Sequence, residues 1–174
     1  MGNIYLIGFM GVGKSTIAYH LERMLHRECA EMDRLIVEKQ GMPISEIFEK
    51  YGEEAFRDIE TQLVQELGRK DGLIVSCGGG AVLRDENTKD MKAHGVIVLL
   101  TATPETIYER VKKSKDRPIL NGNMNVQYIR ELMEKRRTRY EEVADFVIQT
   151  DGKNVTDICR EIIAALQPIH KSSH

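Results

Sequence analysis

The segment that most constrains the fold is 8–15, which reads G-F-M-G-V-G-K-S and directly follows an apolar run at 4–7. An apolar strand, a glycine-rich turn and a Lys-Ser pair that opens a helical pattern are typical of a phosphate-binding P-loop. Glycines lack Cβ atoms, so the turn can point its backbone N–H groups at phosphate oxygens. The alternative is a glycine-rich turn that binds nothing, and the flanking strand and helix favour the P-loop.

Lys14 and Ser15 have separate tasks in this motif. Lys14 brings a point charge to the β- and γ-phosphates, and Ser15 offers its hydroxyl to Mg²⁺. The helix that begins near Lys14 adds its free N–H groups and the positive end of its dipole. The segment therefore predicts a ligand with a chain of phosphates, bound together with Mg²⁺.

The composition limits the class of protein. The chain has 174 residues, 41% of them hydrophobic, and a formal net charge of −2, which suits one domain at 1–167 followed by a flexible tail at 168–174. The small net charge argues against general binding to nucleic acid or membranes. Cys29, Cys77 and Cys159 are far apart in the chain, which indicates reduced thiols. We expect a cytoplasmic monomer without a signal peptide.

Patterns typical of strands alternate with patterns typical of helices. Strands are predicted at 3–7, 28–32, 73–76, 96–100 and 146–149. Helices are predicted at 14–26, 34–39, 44–51, 53–69, 85–94, 125–140 and 155–166, with another that begins at Thr103. This alternation predicts an α/β fold of three layers, a five-stranded parallel sheet with helices on both faces. Ligands of such sheets bind outside the carboxyl ends of the strands.

Residues 112–124 lack periodicity and are basic and rich in turn residues. We interpret them as a mobile lid. Arg117 lies within them in the sequence D-R-P-I-L, and a cationic lid would stabilise the charge that develops on oxygens during phosphoryl transfer. A solvated basic loop is the alternative.

Two predicted strands are followed by residues that suit a ligand site. Asp33 follows the second strand, where a carboxylate can hydrogen-bond a substrate hydroxyl, accept its proton or help to hold metal-bound waters. As an alternative, Asp33 caps a helix that begins at Arg34. Gly78, Gly79 and Gly80 follow the third strand and indicate close approach of the backbone to a ligand, a flexible turn being the alternative.

Arginines occur in two further candidate positions. Arg57 lies next to Phe56 and three residues before Glu60, and an arginine oriented in this way suits a substrate carboxylate. Local sequence alone favours a solvated salt pair between Arg57 and Glu60. Arg136, Arg137 and Arg139 crowd the end of one predicted helix, where cationic side chains can also simply complement the helix dipole.

Motifs of other P-loop proteins are missing. No apolar strand ends in the Asp of a typical Walker B motif, and neither an N-K-x-D nor a D-x-x-G segment occurs. These absences weigh against a GTPase switch and against a motor-type ATPase. A short kinase that acts on a small molecule remains.

In order and spacing, these segments resemble the shikimate kinases from residue 4 to about residue 166. The matching pieces are G-F-M-G-V-G-K-S-T, the Asp after strand two, G-E-E-x-F-R-D, the three glycines, D-R-P-I-L and R-x-x-x-Y-E-E-x-A-D. The resemblance implies a fold like that of nucleoside monophosphate kinases, with a substrate-binding helical segment at about 33–61 and the lid at about 112–124. It also implies transfer of the ATP γ-phosphate to the 3-hydroxyl of shikimate, a step toward chorismate and the aromatic amino acids.

The resemblance further implies roles for individual residues. Those implied in catalysis are Lys14, Asp33 and Arg117. Those implied in ATP binding are Gly11, Val12, Gly13, Lys14, Ser15, Thr16, Arg110, Arg117 and Lys153. Those implied in shikimate binding are Asp33, Phe48, Phe56, Arg57, Gly78, Gly79, Gly80 and Arg136. Ser15 and Glu31 would hold Mg²⁺, the expected cofactor.

The chain departs from the family pattern at two places. Glu31-Met32-Asp33 stands where the family usually has Asp-x-Asp, and residues 136–140 read R-R-T-R-Y where the family often has R-N-P-L-Y. The longer Glu31 carboxylate could still reach metal-bound waters, and Arg136 aligns with the substrate arginine. Two alternatives stay open: a related kinase for another hydroxylated acid such as gluconate, and a P-loop binding module without turnover.

Overall fold

A five-stranded parallel sheet forms the centre of the computed structural model, which describes residues 2–112 and 125–171. The strands lie in the order β2-β3-β1-β4-β5. Their bounds are β1 Asn3–Ile7, β2 Cys29–Glu31, β3 Ile74–Ser76, β4 Gly95–Thr101 and β5 Phe146–Gln149. In the central strand, Ile4 pairs with Ile74 of β3 and with Val96 of β4. The predicted fold class is confirmed.

Helices cover both faces of the sheet. Their bounds are α1 Lys14–Leu25, α2 Met32–Gln40, α3 Ile44–Gly68, α4 Asp85–His94, α5 Pro104–Val111, α6 Val126–Val143 and α7 Val155–Lys171. Helices α1 and α7 pack together, as do α3 and α4. Right-handed crossovers from β1 to β2 and from β3 to β4 place these two pairs on opposite faces.

The core lies between the central strands and the helices. All five residues of β1 are buried, and Leu6, Ile74 and Ile97 are fully enclosed. Strands of a parallel sheet that is covered on both faces are apolar along their whole length. The P-loop, which follows β1, is therefore attached to the buried centre of the sheet.

The junction between β2 and α2 differs from the prediction. The strand ends at Glu31, so Met32 and Asp33 form the first turn of α2, and Glu31 rather than Asp33 takes the N-cap position. The predicted strand end at Met32 and the predicted helix start at Arg34 are wrong by one and two residues. Met32 is fully buried, and an apolar residue that is buried in either conformation cannot mark where a strand ends.

Three other boundaries are informative. The predicted helices at 44–51 and 53–69 form one element, α3, which is kinked at Gly52 with φ 85° and ψ 171°. Gly95 takes the predicted C-cap position of α4, with φ 177°, and is also the first residue of β4, one residue before the predicted strand start. Helix α7 continues to Lys171, so the backbone of 168–171, predicted as part of a flexible tail, is helical. The apolar pattern marks only the last buried residue of a helix, whereas its backbone hydrogen bonds can continue further.

In the part of the chain that the structure describes, no helix combines the length and the apolar character that crossing a membrane requires.

Candidate active site

The loop between β1 and α1 has the conformation of a phosphate cradle. Gly8, Gly11 and Gly13 have φ values of 148°, 81° and 101°, and Gly13 occupies the N-cap position of α1. Because glycine has no capping side chain, the first N–H groups of α1 are left open to an anion. The Lys14 ammonium group donates to the carbonyl oxygens of Gly8, at 2.6 Å, and of Phe9, at 3.2 Å.

A cavity of about 320 Å³ adjoins this loop. Its lining combines the P-loop with the carboxyl ends of β2 and β3 and with α5: Met10, Gly11, Gly13, Lys14, Ser15, Thr16, Glu31, Asp33, Ser76, Cys77, Gly79, Arg110 and Val111. Residues predicted to bind phosphate, metal and substrate therefore surround one space. A second cavity, of about 340 Å³, is lined by residues of β4, α5 and α6, and of the predicted site residues its lining includes Val12.

Ser15 and Glu31, both predicted to hold metal, are in direct contact. Ser15 Oγ donates to Glu31 Oε1 at 2.6 Å and lies 3.4 Å from Ser76 Oγ. The Tyr19 hydroxyl donates to Glu31 Oε2 at 2.7 Å, and this hydrogen bond raises the pKa of Tyr19. Sequence reasoning missed Tyr19 and Ser76. The available signal for Tyr19 was its position four residues after Ser15, on the same face of α1.

Asp33 and Glu60 both point at the glycine turn after β3. A Cβ atom on Gly78 would lie 2.9 Å from Glu60 Oε2 and 3.0 Å from Asp33 Oδ1. Glu60 is 1% exposed, and its Oε2 atom has no hydrogen-bond partner among the described residues. Burial raises the pKa of Glu60, and the neighbouring Arg57 opposes this shift. Two carboxylates thus lie close against the backbone of Gly78.

Arg57 is buried, with 7% of its surface exposed. It donates to Glu60 Oε1 at 2.9 Å and lies over the Phe56 ring, 5.2 Å from the centroid. Phe48 packs on Phe56 with a centroid distance of 4.8 Å. The salt pair exists, but the prediction that it is solvated is wrong, because the guanidinium group packs against the backbone of Gly80, where a Cβ atom would overlap it.

Arg136 faces the same glycine turn from α6. A Cβ atom on Gly79 would lie 3.2 Å from Arg136 Nη1. The Tyr140 hydroxyl donates to the Gly79 carbonyl at 2.5 Å. Burial raises the pKa of Tyr140, and the adjacent Arg136 opposes this shift. The turn is therefore fixed through its backbone by a residue one helical turn from Arg136.

The two other arginines of this cluster lie elsewhere. Arg139 Nε donates to the Val82 carbonyl at 2.7 Å, and its Nη2 atom contacts Asp85 at 2.8 Å. Arg137 pairs with Glu134 at 3.0 Å on the surface, where both side chains are 63% exposed. Among the three arginines, position in the fold thus favours Arg136 for the site.

Of three further residues predicted to bind ATP, the two that the structure describes differ in where they lie relative to the P-loop. Arg110 Nη1 donates to the Val12 carbonyl at 2.8 Å, so this side chain contacts the P-loop directly. Lys153 pairs with Glu161 of α7 at 3.0 Å and does not line the cavity beside the P-loop. Arg117, with the predicted lid from residue 113 onward, lies outside the described residues.

Fold and site together define a P-loop phosphotransferase, in which a phosphate cradle adjoins a cluster of carboxylates and arginines around the glycine turn. A family model described as "Shikimate kinase" matches residues 10–167. The chain is 42% identical over 163 residues to the shikimate kinase of Thermodesulfovibrio yellowstonii, covering 94% of each chain. It is also 42% identical over 160 residues to that of Geobacter sulfurreducens, covering 92% of this chain and 88% of the relative. The chain belongs to the shikimate kinase family.

Solved structures show the same relationship. A shikimate kinase from Acinetobacter baumannii, in complex with shikimate, has a TM-score of 0.92 and 36% identity, covering 97% of this chain and 94% of that one. A gluconokinase from Sinorhizobium meliloti has a TM-score of 0.60 at 16% identity. The gluconokinase therefore shares the fold alone.

Proposed function

We propose that this chain transfers the γ-phosphate of ATP to the 3-hydroxyl of shikimate, giving shikimate 3-phosphate and ADP, a step toward chorismate and the aromatic amino acids. The observation that carries the proposal is the meeting of Asp33, Arg57 and Arg136 around the glycine turn beside the P-loop. Shikimate has one carboxylate and several hydroxyls, so two guanidinium groups complement the acid and Asp33 complements a hydroxyl. Family membership and the shikimate bound to the Acinetobacter enzyme support the same substrate.

On the donor side, the P-loop binds the phosphates of ATP. The open N–H groups at the start of α1 and the loop backbone accept the phosphate oxygens. Lys14 now bonds to two loop carbonyls, and it exchanges these for phosphate oxygens when the nucleotide binds. Arg110, bonded to the Val12 carbonyl, braces the loop from α5.

The oxygen donors beside the P-loop suit Mg²⁺ as the cofactor. Magnesium in kinase sites takes one or two protein oxygens, keeps several waters and binds substrate phosphates. The Ser15 hydroxyl and the Glu31 carboxylate form such a hard oxygen set, with the Ser76 hydroxyl adjacent to it. We propose that Ser15 and Glu31 hold Mg²⁺, which when bound neutralises charge on the phosphates.

On the acceptor side, we assign Asp33 as the general base. The proton of the 3-hydroxyl passes to the Asp33 carboxylate while the bond from that oxygen to the γ-phosphorus forms. The bond from the γ-phosphorus to the bridging oxygen breaks, and ADP leaves with its electron pair. Lys14 stabilises the charge that develops on the phosphoryl oxygens. The part proposed for Arg117 stays a prediction from the resemblance.

A coupled assay of ADP release tests this function. With Mg²⁺ and ATP, we expect release that depends on shikimate, shikimate 3-phosphate as the product, and no stimulation by gluconate. Turnover of gluconate without turnover of shikimate would establish the alternative kinase. Tight ATP binding without a phosphorylated product on any acid would establish a binding module.

The remaining proposals concern the domain bounds, the oligomeric state, the location in the cell and the binding partners. We propose that 1–167 forms one domain, with a substrate-binding segment at about 33–61 and a lid at about 112–124. We also propose that the enzyme works as a monomer in the cytoplasm and binds neither nucleic acid nor membranes. Light scattering after size-exclusion chromatography, at concentrations up to those used for assays, would refute the monomer if it gave twice the chain mass.

A further inference from the structure

Tyr19 has no predicted role, yet it contacts a residue assigned to the metal. Its hydroxyl donates to Glu31 Oε2 at 2.7 Å, while Ser15 Oγ donates to Glu31 Oε1 at 2.6 Å. Ser15 and Tyr19 are four residues apart on α1, so they project from one face of the helix. The Glu31 carboxylate at the end of β2 therefore bridges two hydroxyl donors of α1.

The bridge extends to the surface through Arg34. Arg34 Nη1 lies 3.5 Å from the Tyr19 oxygen and donates to it, and Arg34 Nε donates to Glu38 at 3.2 Å. A hydroxyl that accepts from a cation becomes a stronger donor through polarisation. Arg34 thus strengthens the hydrogen bond that the Tyr19 hydroxyl donates to Glu31.

The length of the Glu31 side chain explains why such a contact is useful. A glutamate has one more rotatable bond than an aspartate, so its carboxylate samples more positions when nothing holds it. The Tyr19 hydroxyl fixes one of the two carboxylate oxygens. The other oxygen is then held where Ser15 reaches it.

The orientation of the Ser15 hydroxyl follows from this contact. A serine hydroxyl has one hydrogen to donate and two lone pairs that accept or bind a cation. Because the hydrogen of Ser15 is directed to Glu31, its lone pairs are left for the Ser76 hydroxyl, 3.4 Å away, and for a cation in the cavity that Ser15 lines. A hard divalent cation requires an oxygen presented in this way.

We propose that Tyr19 is a positioning residue for the cation side of the phosphate site. It holds Glu31 in the orientation in which Glu31 directs the lone pairs of Ser15 toward the cation that accompanies the nucleotide. The inference rests on the proposed use of ATP with a divalent cation, and Tyr19 acts through Glu31 rather than on either substrate.

The test replaces the Tyr19 hydroxyl and measures metal binding without turnover. Tyr19→Phe keeps the ring. Tyr108→Phe is the matched control, because Tyr108 lies on α5 and its ring centroid is 5.9 Å from Nζ of Lys112, the C-cap residue of that helix. Titration of Mn²⁺ in the presence of ADP, followed by electron paramagnetic resonance, gives the metal affinity. We expect Tyr19→Phe to weaken Mn²⁺ binding about threefold to tenfold, and Tyr108→Phe to match the wild type.

Two further measurements separate positioning from general damage. Binding of ADP without metal, measured by calorimetry, should be the same for Tyr19→Phe and the wild type. In a Glu31→Ala background, Tyr19→Phe should cause no further loss of Mn²⁺ affinity, since no carboxylate remains to be positioned. An unchanged Mn²⁺ affinity in Tyr19→Phe, a parallel loss of metal-free ADP binding, or a full additional loss in the Glu31→Ala background would overturn the proposal.

The test of Tyr19 and the test of the proposed reaction can fail separately. A wild-type protein that binds Mn²⁺ with ADP but does not phosphorylate shikimate would refute the function, while the effect of Tyr19→Phe on metal affinity could still be measured. Turnover of shikimate together with an unaltered Mn²⁺ affinity in Tyr19→Phe would refute the role of Tyr19 alone.

Discussion

The proposed donor half and the proposed acceptor half of this site are built in different ways. The donor half comes mainly from 8–16, a contiguous segment that presents backbone groups at the start of α1. The acceptor half gathers side chains from separate elements: Asp33 of α2, Arg57 and Glu60 of α3, and Arg136 of α6, around the turn that follows β3.

The two halves also differ in how they handle charge. Backbone N–H groups at a helix N-terminus attract phosphate without any buried ionised side chain. The acceptor half instead buries Arg57 at 7% and Glu60 at 1% exposure, and removing one member of such a pair leaves a charge that is buried without compensation. Damage to the donor half should therefore affect nucleotide or metal binding and turnover with little change in stability, whereas damage to the acceptor half should affect substrate binding and stability together.

The largest effect is expected for Lys14→Ala in the donor half. Loss of its charge at the phosphoryl oxygens should lower kcat by about 1,000-fold or more. The free energy of unfolding should change little, since the hydrogen bonds of Lys14 to the Gly8 and Phe9 carbonyls lie within one loop. Lys92→Ala, at an exposed position of α4, is the control. Activity within tenfold of the wild type would contradict the assignment of the loop.

Arg57→Ala should affect both properties of the acceptor half. We expect the KM for shikimate to rise about 100-fold and the free energy of unfolding to fall by about 3 kcal/mol, because Glu60 loses its buried partner. ADP affinity without shikimate should stay near the wild-type value. Steady-state kinetics and urea denaturation measure the two effects, and unchanged shikimate kinetics would remove Arg57 from the site.

A double variant separates the two effects of Arg57. Arg57→Leu with Glu60→Leu replaces the buried pair by apolar side chains, which is often neutral for stability. It should recover most of the unfolding free energy lost in Arg57→Ala but none of the shikimate affinity. Recovery of both would mean that Arg57 has only a structural part.

Arg136→Ala should raise the KM for shikimate about tenfold or more. The control is the next residue: Arg137→Ala should leave the KM unchanged, because its exposed pair with Glu134 contributes little. Equal effects of the two substitutions would show that the family alignment at 136–140 is shifted in this chain.

The smallest effect is a pH dependence of stability from Glu60. Burial raises its pKa above the ordinary value of 4.5, so the folded protein favours the protonated form. The stabilising contribution of Glu60 is then fully present below about pH 4.5 and is lost as pH rises through the raised pKa. Glu60→Gln is uncharged at all pH values and should not show this loss. The difference in unfolding free energy between variant and wild type should therefore shift in favour of the variant as pH rises through this interval. Urea denaturation at pH 4 and pH 8 measures the change, and a constant difference would argue against a raised pKa.

The fold was predictable wherever the pattern of apolar residues was continuous along the chain. The strands Asn3–Ile7 and Phe146–Gln149 were predicted with the bounds that the structure has. The break at Gly52 was predicted as a gap between two helices and is a kink within one. An error arose at Met32, whose burial continues across a strand–helix junction. Gly95 takes its predicted C-cap position after α4, and β4 begins at the same residue.

The sequence by itself determined the donor half, because Lys14, Ser15 and the loop glycines are neighbours whose effect depends on local backbone geometry. Only the tertiary structure decided that Arg57 is buried, that Arg136 rather than Arg137 or Arg139 faces the glycine turn, and that Tyr19 reaches Glu31. Burial and hydrogen bonding at these positions depend on elements far apart in the chain, and local patterns of residues carry no record of which elements will meet.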